Sequence, residues 1–93
     1  MRRTTDHYLN RDDIYAEMEI TGELHEEYGT FRIEEVVVTR LDLYSPDGDV
    51  QVDHPFVLEL VAEDFLRKHR DDKGLSDELA ERIGFEMAAE SSE

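Results

Sequence analysis

The chain has 93 residues, which is the size of one small domain (1–93), and it contains no cysteine, which excludes disulfides and thiolate chemistry. Its 25 acidic and 10 basic residues give a formal net charge of −15, which argues against direct nucleic-acid binding and against an anionic membrane surface, because both need Lys and Arg. No apolar run approaches the ~20 residues of a membrane span, and no apolar secretion segment follows the first arginines, so we expect a cytoplasmic location.

The first predicted strand covers Asp12 to Leu24. Apolar and polar residues alternate there from Ile14 onward, and a period of two is typical of a strand with one buried face. The alternation places Glu17 and Glu19 on the solvent face. The preceding residues, about 1–11, are expected to form a flexible N-terminal arm.

The second predicted strand covers Thr30 to Tyr44. Five of its apolar residues share one parity: Phe31, Ile33, Val37, Leu41 and Leu43. The run Val36–Val38 places apolar groups on both faces, which indicates either a bulge or a second face covered by a helix or by another subunit. Glu35 has the parity of the buried residues, and we expect a bulge to turn it outward rather than bury it as a catalytic acid.

A hairpin is predicted at Ser45–Asp49. Pro46 presets φ at the second turn position, and the Asp-Gly pair that follows favours the left-handed geometry. The returning strand is predicted over Asp49–Asp53, with Val50 and Val52 on one face.

The first predicted helix covers Phe56–His69, with Asp53 as its N-cap and Pro55 in its first turn. Five apolar residues form a stripe at helical spacing: Val57, Leu58, Val61, Phe65 and Leu66. The alternative is that the preceding strand continues through Phe56–Leu58.

A second helix is predicted from Asp77, capped by Ser76, with an apolar face formed by Leu79, Ile83 and Met87. Gly84 is unfavourable inside a helix and is expected to end it. The tail, about 88–93, is expected to be frayed.

The order of these elements predicts an α+β fold. We expect a three-stranded antiparallel meander, followed by one or two C-terminal helices that pack on one face of the sheet.

Catalytic and metal-binding patterns are weak. His25-Glu26 resembles the start of a zinc-protease helix, but position 29, where the second histidine would stand, is Gly29. The sequence contains no Gly-rich phosphate loop and no nucleophile motif. We therefore predict no catalytic residues, no metal and no cofactor, and we expect that the protein is not an enzyme.

Negative charge is concentrated between residues 12 and 27, which hold seven acidic residues and no basic one. The predicted partner-binding surface consists of five glutamates and two tyrosines: Glu17, Glu19, Glu23, Glu26, Glu27, Tyr15 and Tyr44. Tyrosine is a frequent interface anchor, although both tyrosines also fit ordinary cross-strand packing.

A compact acidic domain with a Pro-Asp-Gly hairpin and no cofactor motif resembles the small accessory proteins of phages and prophages in size and composition. The resemblance implies the cytoplasm of a bacterium or phage-infected cell. The negative charge clustered over Asp12–Glu27 and in the C-terminal tail predicts a protein-interaction module that binds a basic protein, and in its sharpest form mimics nucleic acid as phage-encoded inhibitors do. The alternatives are a structural homo-oligomer, such as a homodimer, and a domain whose acidity is an adaptation to high salt.

Overall fold

A computed structural model describes residues 1–25, 27 and 29–91 of the chain. Six elements follow one another, namely β1 (Arg2–Asn10), β2 (Ile14–His25), β3 (Thr30–Leu43), β4 (Val50–Gln51), α1 (Pro55–His69) and α2 (Lys73–Ser91). The strands form one antiparallel sheet in the order β1-β2-β3-β4, and both helices pack on one face of it. The α+β class and the antiparallel meander followed by helices are therefore confirmed.

Strand β1 corrects the expectation of a flexible arm over residues 1–11. It pairs with β2 along its whole length, from Arg2 opposite Glu23 to Asn10 opposite Tyr15. Sequence periodicity missed this strand because its inward positions include Thr5, which is polar but only 3 % exposed. The described sheet thus has four strands rather than three.

Strand β3 contains two bulges. The register against β2 shifts twice, and each shift leaves one residue of β3 without an opposite residue, first Glu34 and then Thr39. Before the first bulge the odd-numbered residues of β3 point inward, and after it the even-numbered ones do. Val36 and Val38 are therefore buried, and Val37 is 47 % exposed. The second restores the original parity.

The bulge at Glu34 confirms the expected outward orientation of Glu35, which lies opposite Thr21 and is exposed. The same bulge shows that grouping Val37 with the buried parity was wrong. The helices of this chain cover Val36 and Val38, which accounts for one apolar face of the Val36–Val38 run.

The turn after β3 confirms the predicted hairpin. The Gly48 N–H donates to the Ser45 carbonyl at 3.0 Å, and Gly48 has a φ of 128°, which favours glycine. Strand β4 is shorter than the predicted Asp49–Asp53.

The core lies between the sheet and the two helices. The inner sheet face contributes nine buried residues, namely Ala16, Met18, Ile20, Leu24, Phe31, Ile33, Val36, Val38 and Leu41. The helices contribute Ala62, Phe65, Leu79 and Ile83. Burial of these side chains is the main stabilising contribution to the fold.

Helix α1 confirms the helical interpretation of Phe56–His69, and the alternative strand through Phe56–Leu58 is wrong. The N-cap is His54 rather than Asp53, because the His54 Nδ1 accepts the Phe56 N–H at 3.2 Å. Asp53 instead accepts a hydrogen bond from Gln51.

Helix α2 begins at Lys73, four residues before the predicted start, because Asp72 rather than Ser76 accepts a first-turn N–H, that of Leu75 at 3.2 Å. Gly84 lies inside the helix and does not end it. The helix runs to Ser91 where a frayed tail was expected from residue 88, and residues 92 and 93 lie outside the described residues.

Candidate functional site

The sheet face opposite the helices is the candidate site, and we call it the open face. Alternate residues of β1, β2 and β3 point to it, as the register and burial show. Its residues are Arg2, Thr4, Asp6, Tyr8, Asn10, Tyr15, Glu17, Glu19, Thr21, Glu23, Arg32, Glu35, Val37, Arg40 and Asp42.

The centre of the open face is acidic and uncompensated. Glu19 lies directly opposite Asp6 on β1 and opposite Val37 on β3, so two carboxylates are neighbours in one row and no cation shares the row. Like charges directly opposite each other are destabilising. Val37, which is in this row, is 47 % exposed, and Tyr8, which is in the next row, is 57 % exposed.

The next row places Glu17 between Tyr8 and Arg40. The Tyr15 hydroxyl donates to the Glu17 Oε1 at 3.1 Å. Desolvation and the adjacent Glu17 carboxylate raise the pKa of the Tyr15 hydroxyl. Tyr15 therefore remains a neutral donor that fixes the orientation of Glu17.

Ion pairs compensate the charge at one end of the open face. The Arg40 Nε lies 3.0 Å from the Asp42 Oδ2, and this hydrogen bond raises the pKa of the guanidinium further.

Compensation also occurs at the opposite end. Arg2 lies 3.7 Å from Glu34 and 3.6 Å from Glu35. The terminal amine of Met1 donates to Glu23 and thereby lowers the pKa of that carboxyl. The open face is thus a central acidic patch between two charge-paired ends.

The structure brings together only part of the predicted partner-binding surface. Glu17, Glu19 and Tyr15 share the open face, whereas Glu23 is held by the terminal amine at its edge. Glu27 is exposed in the turn after β2, and Glu26 lies outside the described residues.

Tyr44 lies at the Tyr15 end of the open face. Its hydroxyl donates to the Asn10 Oδ1 at 3.4 Å, and Asn10 lies opposite Tyr15 in the register. The two predicted tyrosines therefore both adjoin Asn10.

Sequence reasoning missed Asp6, Tyr8 and Val37. Asp6 and Tyr8 belong to β1, which has no strong apolar alternation, and Val37 points outward only because of the bulge at Glu34. For Asp6 and Tyr8 the sequence did contain a weak signal, because Thr5, His7 and Leu9 occupy every second position between more exposed residues.

A second polar cluster lies where β1 meets the helices. The His7 ring centre is 5.8 Å from that of Phe65, and the His69 ring centre is 4.4 Å from that of Phe65. Burial and the adjacent Arg82 guanidinium lower the pKa of His7, and the hydrogen bond from His69 lowers the pKa of Asp72. Arg82 also donates to the Asp6 carbonyl, so the cluster ties β1 to α2.

Among the described residues, no group of three or more His, Asp or Glu side chains is arranged to hold a metal ion. Within the same part of the chain, no helix is both long enough and apolar enough to cross a membrane. No model of a known protein family, no curated protein and no solved structure matches the chain.

Proposed function

We propose that this protein is a non-enzymatic protein-interaction module whose open face binds a basic surface of another protein. The observation that supports this most is the row Asp6–Glu19–Val37, where two carboxylates that form no ion pair with a described residue adjoin an exposed apolar side chain. A face of this kind carries an electrostatic cost in the free protein, and a cationic partner would remove that cost.

The sharper form of the proposal is a phage-type inhibitor that mimics nucleic acid. Carboxylates at alternate positions of a strand repeat about every 7 Å along one face. Glu17 and Glu19 are spaced in this way on β2, and Asp6 lies beside Glu19. A rigid array of this kind would occupy the phosphate-binding side chains of a nucleic-acid-handling protein.

The direct test uses a basic DNA-binding protein and a fluorescent DNA duplex as probes. We expect this protein to displace the duplex, with an affinity that falls as salt rises. An affinity that does not depend on salt would contradict the electrostatic basis of the proposal. Binding to the protein without displacement of DNA would contradict the mimicry.

Matched double variants separate the open face from net charge. The variant Asp6→Asn/Glu19→Gln removes two charges from the face, and Asp77→Asn/Glu81→Gln removes two from exposed positions of α2. We expect about tenfold weaker binding for the first and less than about twofold for the second. Equal weakening would mean that only total charge matters.

A further inference from the structure

A groove of about 490 Å³ lies at the outer edge of β3, between that strand and α1. Seven apolar residues line it, namely Val36, Val37, Val38, Pro55, Leu58, Ala62 and Leu66. Four glutamates stand around it, namely Glu34, Glu35, Glu59 and Glu63. The groove therefore combines an apolar floor with an acidic rim.

The strand that borders the groove is open on its outer side. Strand β4 pairs only with Asp42 and Leu43, and the Val52 N–H adds one bond to the Leu41 carbonyl. Within the described residues, no strand pairs with the outer side of Thr30–Arg40. An open strand edge presents backbone donors and acceptors that an added strand can pair with.

The acidic rim determines which strand this edge accepts. Glu34 and Glu35 each lie within 4 Å of Arg2, whereas Glu59 and Glu63 make no ion pair with any described residue. A basic segment would supply the missing cations. A second copy of this chain would instead bring the same glutamates and a net charge of −15 to the same edge.

We infer that the β3 edge binds an extended, basic segment of a partner protein as an additional strand. One row of the segment's side chains points toward α1 and enters the groove, with apolar residues over Val36, Val38 and Leu58 and a Lys or Arg beside Glu59 and Glu63. The basic side chains of the other row point to the opposite face, where Glu35 lies. The bulges at Glu34 and Thr39 interrupt the regular edge, so the paired stretch is short, about four to seven residues. This site adjoins the open face, with which it shares Glu35 and Val37, but it uses a different mode of binding.

A seven-residue peptide with valine at its second and fourth positions and lysine at the other five is the probe, so that the two valines and the sixth residue share the row that enters the groove. Backbone amide NMR is the readout. We expect chemical-shift changes and slower amide exchange concentrated at 35–38, because new hydrogen bonds protect those amides. Changes confined to the open face, or spread evenly over the acidic surface, would overturn the inference.

Charge reversal on α1 tests the rim. Glu59→Lys/Glu63→Lys should weaken peptide binding by about tenfold or more, whereas the matched control Asp77→Lys/Glu81→Lys should change it less than about threefold. All four positions are exposed, so both variants are expected to fold, and circular dichroism verifies this. Equal losses would overturn the inference.

Backbone methylation of the peptide tests strand addition itself. One peptide carries N-methyl groups on its even-numbered residues and the other on its odd-numbered residues, so each has one blocked edge. One version should lose binding at least tenfold while the other retains it. Equal binding of the two would exclude an added strand.

Two further measurements distinguish strand addition at the β3 edge from binding at the open face and from self-association. Asp6→Asn/Glu19→Gln should leave peptide binding within about twofold, since those residues lie on the open face. Failure of the DNA-displacement assay with intact peptide binding would therefore contradict only the proposed function. A stable dimer with β3 edges paired, detected by sedimentation and the same amide protection without peptide, would overturn the inference in favour of self-association.

Discussion

The hydroxyl of Thr5 donates a 2.9 Å hydrogen bond to the Oε1 of Glu86, and thereby joins β1 to α2 across 81 positions of the chain. Thr5 is 3 % exposed and is the one buried polar residue among those the structure describes. The bond is therefore a specific anchor for a strand that otherwise contributes few apolar side chains to the core.

Replacement of Thr5 by valine should lower the free energy of unfolding by about 1 kcal/mol, because it removes this bond while preserving shape and leaves Glu86 solvated. Urea unfolding measures the change, and Thr30→Val at an exposed strand position is the matched control. Equal stability of Thr5→Val and the wild type would mean that the bond contributes nothing to docking of α2.

Gly22 occupies a position that no side chain fits. A Cβ there would clash with the carbonyl oxygen of Arg32 and lie 2.8 Å from the Phe31 Cζ, beside the first bulge. Gly22→Ala should therefore destabilise the protein by about 3 kcal/mol or more, through displacement of β3 from β2. A loss below 1 kcal/mol in urea unfolding would contradict this close approach.

Gly84 gives the opposite expectation. It lies inside α2, and a Cβ there would have no neighbour within 4 Å. Gly84→Ala should stabilise the protein by about 0.5–1 kcal/mol, because alanine loses less backbone entropy in a helix. Destabilisation in the same unfolding assay would show that α2 is not continuous through this position.

His7 should make stability depend on pH below neutrality. Its pKa is lowered from the ordinary value of 6.5 by burial, by Arg82 and, least, by His69, and only Glu78 acts in the opposite direction. The unfolded chain consequently binds the proton more readily than the folded one, so the free energy of unfolding falls as pH decreases through 6.5 and below.

The variant His7→Gln should show a shallower fall between pH 7 and pH 5 in urea unfolding. His25→Gln, at the exposed end of β2 and outside this cluster, is the matched substitution for comparison. If the stability of His7→Gln fell with pH as steeply as that of the wild type, His7 would not be the source of the pH dependence.

The opposed pair Asp6 and Glu19 should reduce stability in the free protein. Asp6→Asn should raise the thermal midpoint by about 2 °C at low ionic strength, and the gain should shrink as salt screens the repulsion. Asp77→Asn on α2 is the control for loss of one charge. An equal rise of the thermal midpoint in both variants would mean that the net charge of the protein, and not the Asp6–Glu19 pair, causes the destabilisation.

The same measurement addresses adaptation to high salt. If the acidity serves that purpose alone, the wild type should unfold in low-salt buffer. A cooperative transition at low ionic strength would contradict that alternative.

The sequence by itself determined the elements whose signals are local. The alternation from Ile14 onward predicted β2, Pro46-Asp47-Gly48 predicted the hairpin, and the apolar stripe of Phe56–His69 predicted α1. Each depends on a repeat or turn preference within a few residues, which nearby side chains decide. Glu17 and Glu19 were placed on the solvent face for the same reason.

Only the tertiary structure decided what depends on pairing between distant residues. The inward positions of β1 include Thr5 and His7, so that strand is defined by hydrogen bonds to β2 rather than by an apolar pattern. The bulges could be expected near Val36–Val38, but the register against β2 fixed which residues turn outward. Because the candidate site consists of opposite residues on three strands, the sequence supplied Glu17 and Glu19, and the register supplied Asp6, Tyr8 and Val37 beside them.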